Sequence, residues 1–455
     1  MHTELEQFIA SSTLCDTHEH TECERFYRDS RHDVLTHLFD NYVVFDLHSA
    51  GASQQSLDAL INPGDPDVAR RFRDIQPYWD KIHFTGYAEG VKLAAKRLFG
   101  IDALTPEALA AAQESCGFKG NDNERLTLLK DIANLDHVQI DTNTRPFPPE
   151  MLGQDFFLYD LNMFDFCAGR PDFDLLERQL GKDVTSLKDL GAAIEVLFDI
   201  SARYAVAVKS QHAYVRTLKW TPRSASDAAI SFDAVRRLGT AAAEADRLCL
   251  GDWCMSRVAQ MCARHDLPFK MHTGYFTKNN FMPTDNLRAG NMDLFLKMHP
   301  DTRFVLMHIA YPHSDELIAL AKHYTNVSID MCWAWSINPL HASDFVRRYL
   351  HAAPKNKLFV FGGDTLLPTS SVGYAMQFRK WFGKTLGREV DDGSLSEAEA
   401  IRLAEFFMMA NPYDYYDLTG KKEVLRTGDA ESVTKLGHQG AFSAPPKSIR
   451  DSGRA

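Results

Sequence analysis

The residues best suited to chemistry lie near the start of the chain, in Leu14-Cys15-Asp16-Thr17-His18-Glu19-His20. A short lead-in runs into two histidines one residue apart. In an extended strand, residues i and i+2 point to the same face, so His18 and His20 project together. Two neutral imidazoles on one side of a strand end make half of a metal site, imidazole being the commonest metal ligand. The chain has 18 histidines, so this spacing also arises by chance. On its own the pair reads equally well as solvated or satisfied in the core. Ligands arriving from elsewhere would decide the matter.

The elements that must position such ligands can be read in order. Leu14–His20 is the first strand. His137–Asp141 reads as a second, and Phe156–Tyr159, ending near Asp160 and Asn162, as a third. Tyr204–Lys209, Pro268–His272, Arg303–His308, Asn326–Asp330 and Leu358–Asp364 complete the set. Helical spans such as Asp227–His265 and Ser314–Tyr324 lie between them. Strand–helix alternation repeated eight times predicts an α/β fold, a TIM-type (β/α)8 barrel. A doubly wound open sheet is the runner-up. It is disfavoured because no glycine-rich phosphate turn follows the first strand.

Thr21–Asn41, with Arg25, Arg28 and Arg31, either wraps the site mouth or is a solvated loop, the loop being favoured, and Asn62-Pro63-Gly64 reads as a turn. Residues 64–135 read as a helical insertion after the first strand. Val91, Leu93, Ala94 and Leu98 suit an amphipathic face. Thr105-Pro106-Glu107 offers a capping hydroxyl, a first-turn proline and an acid near the positive helix end. Such an insertion either shapes a substrate pocket or serves packing or dimer contact. Ser396-Glu397-Ala398-Glu399 opens a helix through Met409 as a capping box, which Asn411-Pro412 is expected to stop. The barrel with its insertion is expected over 10–420, and a polar tail over 421–455.

Position makes the polar residues informative. His18 and His20 end the first strand, His272 the fifth, His308 the sixth and Asp364 the eighth; Lys209 ends the fourth. In a barrel these C-terminal ends converge on one mouth, where active sites lie. Any one strand-end histidine reads well as a structural residue. The whole set reads poorly that way.

This set resembles the amidohydrolase superfamily, with His-x-His on strand one, His on strands five and six, and Asp on strand eight. Met271-His272-Thr273-Gly274, Leu306-Met307-His308-Ile309-Ala310-Tyr311-Pro312 and Phe361-Gly362-Gly363-Asp364-Thr365 are similar to the branch holding FluG/nodulin-type amidohydrolases and metal-dependent decarboxylases. So are Val208-Lys209-Ser210 and Ala213-Tyr214. The insertion and Trp333-Ala334-Trp335 also resemble uronate isomerases, which typically lack the strand-six histidine.

The resemblance implies a divalent metal held by His18, His20 and Asp364, with His272 as a further ligand. Zinc is the first expectation from imidazole-rich ligation, with manganese or iron as alternatives. A site of this kind lowers the pKa of water to about 7. Asp364 would then take the proton from the attacking water and return it to the leaving group. His308 would bind a second metal or polarise the substrate carbonyl. Lys209 has three readings: a carboxylated bridge between two metals, a cationic substrate contact, or a salt bridge at the rim. Tyr214, Arg216, Tyr275, Trp333 and Trp335 are weaker candidates to line the pocket, and as often pack. Asp330 reads as support behind the ligands, and His313 as a loop residue.

The implied activity is metal-dependent hydrolysis of a C–N bond in a small amide or similar substrate. Non-oxidative decarboxylation and uronate-type isomerisation are the alternatives, and a catalytically silent metal-binding scaffold is a fourth reading.

Composition sets the surroundings. The 455 residues, 45% hydrophobic and 24% charged, are ordinary for a soluble globular enzyme. A net charge of -11 argues against nucleic-acid or anionic-membrane partners. Eight cysteines without a Cys-x-x-Cys pair read as reduced thiols in a cytoplasmic protein. Met1–Ser12 lacks the apolar core of a signal peptide, and no run reaches the roughly 18 apolar residues of a membrane span. A homo-oligomer acting on a small-molecule substrate is expected.

Overall fold

The computed structural model describes residues 2–427 except 22–23, 119–120, 122, 143–152 and 281. Eight strands form one sheet in chain order. They are β1 (Leu14–Glu19), β2 (Leu135–Ile140), β3 (Phe157–Asn162), β4 (Ala205–Ser210), β5 (Phe269–His272), β6 (Phe304–Met307), β7 (Val327–Asp330) and β8 (Leu358–Phe359). Each pairs in parallel with the next. The ring closes where the chain after β8 meets β1. Thr17 N donates to Phe361 O (3.1 Å), Asp364 N to His18 O (2.9 Å) and His20 N to Thr365 O (3.1 Å). Sequential order and closure exclude the doubly wound sheet. The strands are buried almost throughout, as expected when helices cover a parallel sheet.

The barrel interior is not wholly apolar. Lys270 Nζ from β5 donates to Asp160 of β3 (2.9 and 3.0 Å), Gln139 of β2 (2.6 Å) and the Thr17 carbonyl of β1 (2.9 Å). A fully buried cation is thus paired and hydrogen-bonded, the condition for keeping a charge out of water.

Helices begin earlier than the sequence pattern implies. Glu24–Asp29 and Val34–Phe39 are helical where a loop was expected, so the helical segment between β1 and β2 runs from residue 24 to 132. All six residues of Val34–Phe39 are buried, which erases the amphipathic period that would have marked it. Asp33 caps this helix by accepting from Thr36 N (2.8 Å), and its other oxygen takes the Arg71 guanidinium.

The expected caps hold at Thr105, which accepts from Ala108 N, and at the Ser396–Glu399 box. The span expected over Asp227–His265 is two helices, Ala225–Leu238 and Glu244–Arg264. The break falls at Gly239, whose φ of 57° lies outside helical geometry. Asn411-Pro412 does not stop the preceding helical stretch. It opens the helix Asn411–Tyr415, with Pro412 in the first turn, where no amide is needed. The helix Leu418–Thr427 covers the first residues of the expected tail; 428–455 lie outside the described residues. Among the described residues no helix is long and apolar enough to cross a membrane.

Candidate metal centre

β1 delivers the two histidines and the segment after β8 delivers the acid. His18 Nε2 lies 3.1 Å and His20 Nε2 3.2 Å from the same oxygen of Asp364, Oδ1. His18 and Asp364 are buried, while the His20 side chain is 27% exposed and faces the opening. His20 Nδ1 donates to the Asp141 carbonyl (3.0 Å), so that a cation bound here would meet the lone pair of a neutral Nε2.

The donor set fits a cation. An ion with bonds of about 2.0–2.1 Å in tetrahedral or octahedral geometry sets neighbouring donor atoms roughly 2.9–3.4 Å apart. The two nitrogen–oxygen separations fall in that range.

Electrostatics agree with such a role. Burial alone would raise the Asp364 carboxyl, but hydrogen bonds from the two imidazoles hold it well below the usual carboxylate range. Burial and the Lys209 ammonium push His18 well below the ordinary imidazole value. Burial also opposes a charge on His20, but Asp364 outweighs it and raises that pKa. The centre therefore carries one carboxylate charge beside a neutral His18.

The other strand-end residues gather around it. Lys209 Nζ is 3.1 Å from His18 Nε2 and 3.7 Å from Asp141 Oδ2. Asp141 also accepts from Asn162 Nδ2 (2.7 Å) and Gln211 Nε2 (3.1 Å). His308 Nδ1 approaches the Cys332 carbonyl (3.2 Å), Cys332 Sγ (3.1 Å) and Asp364 Oδ2 (3.9 Å). Its Nε2 is buried with no hydrogen-bond partner among the described residues, and burial lowers its pKa to about 4. His272 falls outside the tight group of three. Its Nε2 donates to the Gly274 carbonyl (2.6 Å), and its ring stands 4.1 Å from that of His308. Burial and His308 push His272 well down as well.

Of the weaker candidates, Tyr214 stacks edge-on to His272, and Trp333 lies between His308 and Tyr275. Two do not line the mouth. Arg216 turns into Asp252 (2.5 Å) and the Cys167 carbonyl. Trp335 donates to the Val360 carbonyl and packs on Phe378 in the helix layer. Asp330 accepts from Cys332 N (2.8 Å) behind the ligands, and burial raises its carboxyl to about 6. His313 immediately precedes the helix Ser314–His323.

The sequence reading missed Tyr42. Its hydroxyl donates to Asp364 Oδ2 at 3.1 Å from within the helical segment, and no spacing links it to the strand ends. It also passed over Asp141, although a strand-end acid carries the same positional signal as Asp364. Asp16 and Glu19, inside the His-x-His stretch, are buried too. Burial takes Asp16 up to about 7, and burial with Asp16 alongside lifts Glu19 well above the carboxylate range.

A second group of metal-capable side chains, Cys15, Asp136 and His137, also lies close together. There Lys422 Nζ already meets Asp136 at 2.5 Å, and Tyr413 donates to the same acid. The positive charge is supplied by the protein itself.

Residues 194–405 match the amidohydrolase family. That match takes in just under half of the chain. The match spans β4 to β8 and the helices beyond, so His18 and His20 lie outside it. FluG of Emericella nidulans is 23% identical over 175 residues, which is 37% of this chain and 20% of that protein's length. Glucuronate isomerase from Caulobacter crescentus has a similar fold: TM-score 0.72 and 17% identity, covering 92% of this chain and 94% of that one. Uronate isomerase from Thermotoga maritima gives 0.71 and 13%, over 91% and 97%. A Lactobacillus casei protein classed as a metal-dependent hydrolase gives 0.62 and 17%, over 92% and 98%. The likeness to these structures is one of fold.

Proposed function

We propose that this chain is a metal-dependent hydrolase acting on a C–N bond of a small amide or related substrate. In this reading His18, His20 and Asp364 hold a divalent cation, zinc in the first instance. The observation that carries it is the convergence of two imidazole nitrogens on one carboxylate oxygen at the barrel mouth. A divalent cation there would polarise a carbonyl and lower the pKa of water to about 7.

The chain's own groups then divide the remaining work. Asp364 stays ionised, and Tyr42 orients its second oxygen. That carboxylate is placed to accept a proton from an attacking water and pass it to the leaving nitrogen. His308, with Nδ1 donating to the Cys332 carbonyl, presents a neutral, unpartnered Nε2 lone pair suited to accept from an O–H or N–H of the substrate. Lys209 supplies a fixed positive charge beside His18, suited to a substrate carboxylate or carbonyl. His272, held by Gly274, shapes the wall next to His308, or joins the ligand set if its ring turns.

A second reading is isomerisation of a sugar acid. The Tyr42–Asp364 contact favours it, because a phenol and a carboxylate in series can carry a proton between neighbouring carbons without water. The near full-length likeness to two uronate isomerases supports testing it. His308 at the end of β6 weighs for the hydrolase. Buried cysteines without a disulfide among the seven described support a cytoplasmic setting.

Metal content of the purified protein, with product analysis on wild type and Asp364→Asn, tests the assignment. Ammonia or amine release is expected, lost by about 100-fold or more in Asp364→Asn. Carbon dioxide release would make it a decarboxylase, and carbonyl migration on a uronate an isomerase. Full activity of Asp364→Asn without bound metal would defeat every metal-dependent reading.

A further inference from the structure

Asp364 is joined to β1 by more than ligand geometry. Three consecutive amides of its loop donate to that strand. Gly363 N donates to Asp16 Oδ1 (3.3 Å), Asp364 N to the His18 carbonyl (2.9 Å) and Thr365 N to Glu19 Oε2 (2.7 Å). Asp16 Oδ1 also accepts from His18 N (3.1 Å), so one oxygen holds the backbone of both a histidine and the acid's neighbour. The other Glu19 oxygen accepts from Ser371 Oγ (2.6 Å), in the first turn of the helix Pro368–Asp391. The Asp16, Glu19 and Ser371 side chains are all fully buried. Gly363 lacks the side chain that would collide with this arrangement: a Cβ there would overlap the Glu19 carboxylate.

We infer that Asp16 and Glu19 are positioning residues that clamp the Gly363–Thr365 backbone to β1 and so hold the Asp364 carboxylate in register with His18 and His20. The inference rests on the metal-centre reading given above. Neither acid points a ligand atom at the centre. Their task is to fix two strand ends, 344 residues apart in the chain at Thr17 and Phe361, to the few tenths of an ångström a cation requires. Glu19 is the sharper case. It is the middle residue of His-x-His, alternates to the face opposite the ligands, and reaches the helix layer instead of the mouth.

The test is zinc affinity of the metal-stripped protein at 25 °C, by competition with a chromophoric chelator, with circular dichroism confirming the fold. Glu19→Ala should weaken zinc binding by about 10–100-fold. Gly363→Ala should weaken it similarly, because its methyl group evicts the same carboxylate. Glu19→Gln should stay within about threefold of wild type, since its amide oxygen still accepts from Thr365 N and its NH2 can donate to Ser371. If Glu19→Ala does not fold, Gly363→Ala and the milder Ser371→Ala carry the comparison. Unchanged affinity in folded Glu19→Ala or Gly363→Ala would overturn the clamp. So would equal losses in Glu19→Ala and Glu19→Gln. A wild-type protein that binds no zinc, manganese or iron would instead remove the metal centre itself.

Discussion

At the scale of single residues, the centre is built from backbone that most side chains avoid. Asp364 has φ 55° and His308 φ 63°, with Ile309 and Ala310 following at 46° each. Left-handed geometry at a non-glycine residue costs of order 1–3 kcal/mol and persists only where neighbours over-determine it. Around Asp364 the neighbours are the amide bonds to β1 and the Tyr42 hydroxyl. Removing that hydroxyl is a clean cut. Tyr42→Phe should lower turnover by about 10–100-fold while leaving metal stoichiometry intact, by steady-state kinetics and metal analysis in parallel. An unchanged rate would reduce Tyr42 to packing. The histidines were legible in the sequence because a period of two puts i and i+2 on one face. His272, His308 and Asp364 were legible because each closes an apolar run. Tyr42 was not, because its reach to Asp364 is a product of tertiary packing that no local pattern encodes.

At the scale of elements, seven strands could be read from their apolar runs and β1 from its paired histidines, and the helix starts at Thr105 and Ser396 from their caps. The helical segment after β1 was under-read where burial on every side removes the period. His37 lies in that hidden region. It packs on the rings of His32, Phe99 and Phe118, and burial, then His32, lowers its pKa to about 3. An unfolded histidine titrates near 6.5. Between about pH 6.5 and 3 the unfolded chain binds this proton and the folded chain does not, so stability falls as pH falls. The slope from this one group approaches 1.4 kcal/mol per pH unit. Urea unfolding across this range should show wild type losing stability more steeply than His37→Leu. Parallel pH profiles would contradict this.

At the scale of the whole molecule, the barrel is held from inside by a charge. Lys270 links β5 to β1, β2 and β3 through Thr17, Gln139 and Asp160. Breaking a buried pair by removing one partner typically costs 3–5 kcal/mol, because the other charge is stranded. Lys270→Met should therefore lose stability of about that size in chemical denaturation. Adding Asp160→Leu should recover much of it. A single variant as stable as wild type would show that water or another group neutralises Asp160.

The seam between β1 and the segment after β8 has a temporal side. A growing polypeptide exposes both histidines to the cell long before the acid that completes their set has left the ribosome. Until then the emerging pair is only a weak, two-toothed chelator. In the proposed metal-dependent reading, loading at this centre is therefore a late event in the life of each molecule, able to begin only when the last stave of the barrel meets the first.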